Sequence, residues 1–397
     1  MYDVVVVGGG PAGSYAASLL GKQGFDVHVL EEHVVIGEPV DCSGVIGGEA
    51  FERLQLPNSL KLGDINSLTL FSPSQLEVHF FPSSPLAYVV DRAAFDRTIA
   101  DKTLASGGVT FHLGSPVVDV QVLDGCVEVV FKEIADCQSS SINDQRIIKA
   151  AMVILAGGPR YKLQRKLGMG EPDDFLRTAQ AEVKVQGIEK TKVFIGSQAA
   201  PGSFAWIVPF RRKDGEFARI GVSAKMNAVP YLQKLLERLY SEGHLDSPKA
   251  SIRSWLIPIS PLKRTFGERV LAVGDAAGQT KPTTGGGIYY SLLCAEAAAH
   301  TAMTALKRGD FSTATLSGYE RSWRKRLGRE ILAGIYFRRL AERLNDQEID
   351  DLFRIVQSDG ILAAVSSKAR FDWHRDVIYF ALRHPALGRI FLRGLFR

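Results

Sequence analysis

Three consecutive glycines, Gly285, Gly286 and Gly287, stand directly before an apolar, helix-forming run that begins at Ile288. Backbone amides without neighbouring side chains can approach a ligand closely, and the first amides of a helix carry the positive end of its dipole. Such a segment suits an anion or the electron-rich edge of a ring. Taken alone, three glycines are equally consistent with a plain flexible turn.

A second glycine-rich segment lies near the N-terminus, between two apolar runs. Gly8, Gly10 and Gly13 have the G-x-G-x-x-G spacing, which permits a tight turn, close approach of a pyrophosphate and packing of a helix on a sheet. Glu31 ends the next apolar run, where a carboxylate can accept hydrogen bonds from ribose hydroxyls. This context predicts a dinucleotide site rather than a structural turn.

The apolar pattern also predicts the elements that position these segments. Strands are expected at 4–7, 68–71, 78–81, 117–122, 127–131, 147–155 and 270–273, and the last one precedes the pair Gly274-Asp275. Asp124-Gly125 predicts a hairpin, and residues 137–145 predict a loop tip. Residues 178–259 alternate as in an antiparallel sheet, with a helix near 231–240, and the chain after Gly285 is expected to be mostly helical.

The length of 397 residues is enough for two or three domains, and the hydrophobic content of 46% is typical of a globular chain. The chain has no run of 18 apolar residues and no basic segment ahead of its first apolar run, so neither a membrane-spanning helix nor a secretory signal is expected. The expected location is the cytoplasm. The four cysteines, Cys42, Cys126, Cys137 and Cys294, lack CxxC spacing, and the eight histidines lack ligand spacing, so we expect no disulfide framework and no metal site.

Positive charge is concentrated near the C-terminus. From Glu320 onward there are 16 Lys or Arg and 10 Asp or Glu, a net charge of +6, whereas the whole chain carries +5. Nucleic acid is not favoured, since no binding motif accompanies the charge. The apolar residues there alternate with arginines, which predicts either a helix lying on the inner face of a membrane or a helix docked on the protein itself. They are Phe371, Trp373, Val377, Ile378, Phe380, Leu382, Leu387, Ile390, Phe391, Leu395 and Phe396.

Several motifs together resemble one known family. They are the N-terminal glycine fingerprint, the segment 39–44 around Cys42, Asp91-Arg92, the segment 201–209 around Trp206, and Gly274-Asp275 followed by the segment 282–288. With these motifs, residues 1 to about 340 resemble the geranylgeranyl reductase family, within the group that shares the p-hydroxybenzoate hydroxylase fold. The resemblance implies an FAD-dependent reductase of isoprenoid double bonds; the alternative on the same fold is a flavin-dependent monooxygenase of the aromatic hydroxylase or halogenase type.

The resemblance also implies how FAD is held. The adenine end would lie on the N-terminal unit, Asp275 would bind the ribityl or ribose chain, and the glycine triplet would face the isoalloxazine. Arg92 would approach the phosphates; alternatively, it forms an ion pair with Asp96, one helical turn away. The implied cofactor-binding residues are Gly8, Gly10, Pro11, Ala12, Gly13, Glu31, Glu32, Cys42, Arg92, Val118, Gly157, Gly274, Asp275, Gly285, Gly286, Gly287 and Ile288.

A prenyl substrate would contact Cys42, Phe204, Trp206 and Pro209. Phe204 and Trp206 share one face of a predicted strand, where they would wall a tunnel or form ordinary core. The family usually has another aromatic residue at the position of Val208, so the outline of the cavity is expected to differ. Cys42 is the candidate catalytic residue, because a thiol near the flavin can shape the pocket or supply a proton to it; the alternative is a buried structural thiol.

The predicted fold class is α/β (α+β), with a Rossmann-type FAD-binding domain interleaved with an antiparallel-sheet substrate domain. The FAD-binding domain is predicted over 1–65, 90–178 and 260–310, the substrate domain over 66–89 and 179–259, and a helical region over 311–397. Gly157 stands where hydroxylases of this fold usually have an aspartate, so the electron donor stays open between NAD(P)H and a ferredoxin-like reductant. The substrate would be a prenyl lipid, a prenyl diphosphate, or a chlorophyll or quinone side chain.

Overall fold

A computed structural model describes residues 1–82, 85–134, 145–358 and 360–393. Cys137 with nearly all of the predicted loop tip, and Leu395 and Phe396 of the tail, lie outside the described residues. Within the described ranges, no helix combines the length and apolar content needed to cross a bilayer, and no group of three or more His, Cys, Asp or Glu could hold a metal ion.

The predicted Rossmann unit forms the first sheet. Its strands are β1 (Tyr2–Val7), β2 (Val27–Leu30), β8 (Val109–His112), β9 (Val117–Leu123), β10 (Cys126–Lys132), β11 (Gln145–Leu155), β17 (Phe266–Gly267) and β18 (Val270–Ala272). The parallel core has the order β18-β11-β1-β2-β8, with Val4 to Val7 fully or nearly buried at its centre. The long strand β11 pairs antiparallel with β10 through its first half and parallel with β1 through its second, so the predicted hairpin extends the same sheet.

The predicted antiparallel sheet forms with seven strands: β5 (Leu68–Phe71), β6 (Glu77–Phe80), β12 (Phe175–Lys184), β13 (Thr191–Ile195), β14 (Phe204–Arg212), β15 (Gly215–Ala224) and β16 (Arg253–Pro258). Their order is β16-β12-β15-β14-β13-β5-β6. One face of the sheet is covered by an amphipathic helix, because Leu232, Leu236 and Leu239 pack against inward residues such as Ile207. The opposite face packs partly against Ile65, Ala87 and Val89 and also lines a cavity.

A third, three-stranded sheet was not predicted. It comprises β3 (Val45–Gly47), β4 (Lys61–Ile65) and β7 (Ala87–Val90) in the order β3-β7-β4. Its strands are only three to five residues long and one pairing contains a register shift, so period-two alternation is hardly visible in the sequence. The mixed architecture of Rossmann unit, antiparallel sheet and C-terminal helices confirms the predicted fold class; the domain boundaries stay a prediction.

Helices cover the Rossmann sheet and form the C-terminal region. Small residues allow α1 and α6 to approach closely, since Ala16 and Ala17 share a core with Ala295, Ala298 and Ala299. The helices are α1 (Pro11–Gly21), α2 (Gly48–Arg53), α3 (Arg92–Leu104), α4 (Lys162–Lys166), α5 (Val229–Ser241), α6 (Ile288–Arg308), α7 (Thr313–Ala341), α8 (Asp346–Gln357), α9 (Ile361–Lys368), α10 (Arg375–Arg383) and α11 (Pro385–Arg393). Short 3-10 turns occupy Asn58–Leu60 and Gly274–Ala277.

A buried ion pair fastens the C-terminal segment to the loop that precedes the glycine triplet. The Lys281 ammonium lies 2.8 Å from Asp372 Oδ1, donates to the Phe371 carbonyl at 2.9 Å and sits 4.0 Å from the centre of the Phe371 ring. Both charged side chains are only 4% exposed. The apolar sides of α10 and α11 also pack inward through Ile378 and Phe391. The tail is therefore docked on the protein, which was one of its two predicted arrangements.

Breaking this pair should be costly, because removing one partner leaves a buried charge without compensation. We expect Lys281→Met or Asp372→Leu to lower the free energy of unfolding by about 3–5 kcal/mol each, and the double variant to recover most of that loss. Urea denaturation followed by circular dichroism measures these differences.

The matched control is the exposed pair Lys263–Asp173, whose side chains are 83% and 65% exposed. Lys263→Met should change stability by less than about 1 kcal/mol. Single variants at Lys281 and Asp372 that change stability as little as this control would show that the buried ion pair does not stabilise the fold.

Candidate functional site

A cavity of about 1410 Å³ lies where the Rossmann sheet, the antiparallel sheet and the C-terminal segment meet. It includes the carboxyl ends of β1 and β11, the position at which open α/β sheets bind ligands. Its volume exceeds the ~300–1,000 Å³ of pockets that hold one small ligand. The cavity therefore has room for a large cofactor together with a second molecule.

The N-terminal glycine loop forms one end of the cavity. Each of its three fingerprint positions is occupied by glycine for a different structural reason. Gly8 has φ +102°, and a Cβ there would lie 2.5 Å from the Ala156 carbonyl oxygen. A Cβ on Gly13 would lie 2.0 Å from the Gly8 carbonyl oxygen, so this glycine allows α1 to pack on the sheet and does not line the cavity. A Cβ on Gly10 would meet nothing within 4 Å. The space beside Gly10 is open to a ligand.

Glu31 lies at the end of β2 against this loop, as predicted. Its carboxylate accepts hydrogen bonds from the Gly9 amide at 2.7 Å and from the His33 amide at 3.0 Å, and it contacts the His33 ring. An ionised carboxylate offers about four acceptor positions, so capacity remains for ribose hydroxyls. Pro11, Ala12, Glu32, Val118 and Gly157 also line this end of the cavity.

The glycine triplet lies on another side of the same cavity, and α6 begins directly after it. Gly285 has φ +75°, a Cβ on Gly286 would lie 2.6 Å from Lys281 Cε, and a Cβ on Gly287 would lie 2.8 Å from Asp275 Oδ1. The loop is closed by hydrogen bonds between Lys281 and the first two glycines. Within the described residues, the Gly286 and Gly287 amides donate to no protein group, so both are available to an anionic ring edge.

The Gly274-Asp275 turn is held by a buried network beneath the cavity. The Gly274 amide donates to Gln279, whose amide nitrogen donates to the Tyr319 hydroxyl, and that hydroxyl donates to the Ala272 carbonyl. Gly274 itself packs behind the cavity lining, whereas Asp275 is part of it. Burial raises the pKa of Asp275 to about 6, although the Arg92 charge lowers it. The carboxylate is thus placed where it gains from hydroxyl donors supplied by a ligand.

Arg92 forms the ion pair with Asp96 that was its alternative role, with Nη2 donating to Oδ2 at 3.0 Å, and it also lines the cavity. Burial lowers the pKa of Arg92, but Asp96 and the adjacent Cys42 sulfur outweigh burial and hold the pKa above its usual range. Arg92 therefore remains a fixed cation beside the Cys42 loop. Its role toward the FAD phosphates stays a prediction.

The Cys42 loop is held in place from the antiparallel sheet. Gln180 donates to the Cys42 carbonyl at 3.2 Å, and the buried Arg219 donates to the Ser43 carbonyl at 2.8 Å. The Gly44 amide donates to the Cys42 sulfur at 3.3 Å. The thiol consequently sits at a defined position in the cavity lining.

The free face of the antiparallel sheet forms an apolar wall. Trp206 lies directly across from Val193 and Gly221, and its indole covers Gly221 so closely that a Cβ there would be 2.2 Å from Cζ2. Because side chains alternate along β14, Pro209 points away from this face and is not among the cavity-lining residues. The wall comprises Leu68, Leu70, Phe80, Val193, Phe204, Trp206 and Val208.

Sequence patterns missed the contribution of the C-terminal segment. Val365, Phe371, Val377 and Ala381 complete the lining, together with the buried His374. Burial and, to a smaller extent, the nearby Lys281 charge lower the pKa of His374 to about 4. The ring is therefore neutral at pH 7: its Nε2–H donates to the Phe371 carbonyl at 2.9 Å, and Nδ1 accepts from the Thr283 hydroxyl. No local signal in the sequence indicates these contacts.

The open space beside Gly10, the unpaired amides of the glycine triplet and the placement of Asp275 are the features that binding of FAD requires.

A matched pair of substitutions tests the role of the glycine fingerprint in FAD binding. Gly10→Ala should leave the stability of the flavin-free protein unchanged but weaken FAD affinity at least about 10-fold, because its methyl enters the open space. Gly13→Ala should instead lower stability by about 1–3 kcal/mol through overpacking. Flavin fluorescence titration and thermal unfolding separate the two effects, and equal FAD affinity in Gly10→Ala and the unchanged protein would contradict the placement.

Known proteins agree with this geometry. Residues 6–52 match the NAD(P)-binding Rossmann-like domain. The digeranylgeranylglycerophospholipid reductase of Methanocaldococcus jannaschii is 31% identical over 364 residues, which cover 89% of this chain and 90% of the relative. A geranylgeranyl bacteriochlorophyll reductase-like structure from Thermoplasma acidophilum superposes with a TM-score of 0.83 at 22% identity and covers 99% of both chains.

The fold is shared more widely. A halogenase solved in complex with FAD superposes with a TM-score of 0.65 at 16% identity, covering 99% of this chain and 85% of the halogenase. That likeness concerns the fold, whereas the archaeal relative matches most of the sequence. The protein is an FAD-dependent oxidoreductase, and the chain belongs to the geranylgeranyl reductase family.

Proposed function

We propose that this protein reduces isoprenoid double bonds of a prenyl lipid of the digeranylgeranylglycerophospholipid class. The observation that carries the proposal is the apolar wall of β5, β6, β13 and β14, which faces the same cavity as the glycine triplet. A geranylgeranyl chain has no polar group that a protein could recognise. Its binding therefore requires an extended apolar surface beside the glycine triplet, where the flavin ring is proposed to lie.

Bound FAD, once reduced, supplies the hydride equivalent for each double bond. The residues of the chain position the two reactants and exclude water from the space between them. The amides of Gly286 and Gly287 stabilise negative charge on the ring edge without reorganisation, since the helix that follows fixes their direction. Phe204, Trp206 and Phe371 exclude water from the space in which the chain lies.

Reduction also needs one proton per double bond, delivered to the other carbon of the alkene. An unactivated alkene has no carbonyl to hold negative charge, so the proton must be available early and inside the dry pocket. Cys42 is the candidate for shaping this pocket or loading it with a proton, and its fixed loop between Arg92 and Gln180 supports that role. A trapped water beside it is the other source consistent with the lining.

The electron donor is proposed to be NAD(P)H or a ferredoxin-like reductant. Gly157 lines the cavity beside the glycine loop, where a Cβ would meet only Val7, at 3.8 Å. The position therefore has space for a side chain but offers no carboxylate to a second nucleotide. Separately from the reaction, we propose peripheral contact with a membrane surface, because the substrate resides in lipid.

The decisive experiment is anaerobic. The bound flavin is reduced chemically, each prenyl substrate is added, and flavin reoxidation and product mass are followed. We expect reoxidation coupled to a gain of two hydrogens per double bond. Oxygen-dependent hydroxylation or halogenation, without anaerobic reoxidation by prenyl lipid, would assign the protein to the monooxygenase alternative instead.

Cys42→Ala tests the proposed role of the thiol. FAD affinity should be unchanged, while the rate of anaerobic flavin reoxidation by prenyl lipid should fall about 10²- to 10⁴-fold, the range typical of a lost proton donor. Cys126→Ala, which removes a thiol from the distant hairpin strand β10, is the control and should behave as the unchanged protein. A Cys42→Ala protein with an unimpaired reoxidation rate would make Cys42 a structural thiol.

A further inference from the structure

One face of α7 and the turn after it project seven side chains into solvent. They recur every three or four residues, which is the spacing of a single helix face, and we name them the α7 stripe. Within it, Leu332 is 52% and Tyr336 56% exposed, although both are large and apolar. The stripe comprises Arg321, Lys325, Arg329, Leu332, Tyr336, Arg339 and Arg343, all exposed.

The five cations of the α7 stripe form no ion pair within the described part of the chain. The other cations of α7 are paired: Arg324, Arg326 and Arg338 contact Glu320, Glu296 and Glu342 at 3.0, 3.1 and 3.3 Å. The remaining acid of α7, Glu330, accepts from the His374 and Arg375 amides on the inner side. The stripe thus keeps five uncompensated positive charges.

Two neighbouring helices carry exposed residues of the same kind. Tyr379 of α10 is 43% exposed and lies below the Arg383 guanidinium, and Leu392 of α11 is 55% exposed beside Arg393. A contact between the Phe337 and Phe391 rings, with centroids 5.4 Å apart, joins α11 to α7 on their inner sides. Exposed apolar side chains beside cations are therefore present on three adjoining helices.

The inner sides of the same helices belong to the cavity. Phe337, which follows the exposed Tyr336, lines it, and so do Val377 and Ala381 of α10. The outer surface and the apolar cavity are therefore separated by about one helix diameter, roughly 10 Å. A lipid chain that leaves a bilayer at this surface has a short path to the apolar wall.

We propose that the α7 stripe and the outer sides of α10 and α11 bind the surface of an anionic lipid bilayer. Lysines and arginines attract the headgroups, while Leu332, Tyr336 and Leu392 enter the headgroup boundary. A second copy of the chain fits less well, because a symmetric contact would place five uncompensated positive charges against five others. This proposal rests on the proposed function only in taking the substrate from the bilayer.

The test uses the full-length, FAD-loaded protein and vesicles of phosphatidylcholine with and without phosphatidylglycerol. We expect cosedimentation with the anionic vesicles that weakens as salt is raised. The variant Lys325→Gln/Arg329→Gln/Arg339→Gln should bind them about 100-fold more weakly, at roughly fivefold per cation removed. The control Lys22→Gln/Lys213→Gln/Lys249→Gln removes the same charge from scattered exposed sites and should stay within about twofold of the unchanged protein.

The variant Leu332→Ser/Tyr336→Ser should lose the part of binding that persists at high salt. Flavin absorbance and melting temperature confirm that each variant is folded. Absence of vesicle binding by the unchanged protein, or equal weakening in the control, would overturn the proposal; a dimer dissociated by the triple substitution, without vesicle binding, would assign the surface to a second copy.

Reduction of a detergent-dispersed prenyl lipid distinguishes this proposal from the proposed function. If that reduction occurs but vesicles are not bound, the surface proposal fails and the function stands. If vesicles are bound through the α7 stripe but no prenyl lipid is reduced, the surface proposal stands and the function fails.

Discussion

The buried ion pair between Lys281 and Asp372 is the interaction on which the arrangement of the site depends. Lys281 closes the loop that ends in the glycine triplet, and Asp372 lies within the C-terminal segment that completes the cavity lining. Two elements 91 residues apart in the chain thus share one buried contact. Charges this deeply buried are costly unless they are paired, so the loop and the segment hold each other in place. The pair therefore holds the loop of the glycine triplet and the C-terminal part of the cavity lining together.

Glycine and aromatic residues give two parts of the cavity lining different chemical character. Where the backbone must approach a cofactor, Gly10 leaves open space and Gly286 and Gly287 leave amides unpaired. Where a prenyl chain would lie, Trp206 covers Gly221 and turns a sheet face into a continuous apolar surface. Cys42 lines the same cavity, on a loop held by hydrogen bonds from the sheet. The proposed role of its thiol as a proton source depends on this fixed position.

How much of this could be predicted follows from the range of the interactions involved. The fingerprint was predictable, because a tight turn at Gly8 and close packing at Gly13 leave only glycine possible, whereas Gly10 leaves space in which a ligand can approach the backbone. The Arg92–Asp96 pair was an evident alternative, since residues four apart on a helix are neighbours. The role of Asp372 was not predictable: its partner is distant in the chain, and a lone aspartate in a basic tail reads as a solvated charge. The three-stranded sheet was not predicted because its strands are too short for apolar and polar residues to show a clear alternation.

The basic tail shows why a local pattern can support two structures at once. An amphipathic helix with arginines on one side can lie on a membrane surface or pack on the protein's own core, because its apolar face is buried in both cases. The structure assigns the apolar faces of α10 and α11 to the core, through Ile378 and Phe391. Exposed apolar residues remain on the same helices and on α7: Tyr379 lies on α10, Leu392 on α11, and Leu332 and Tyr336 lie among the cations of the α7 stripe. Packing therefore does not use all the apolar residues of these three helices. A surface that stays apolar and positive after the core is complete has only an external partner to satisfy it, and anionic lipid supplies both the charge and the apolar phase.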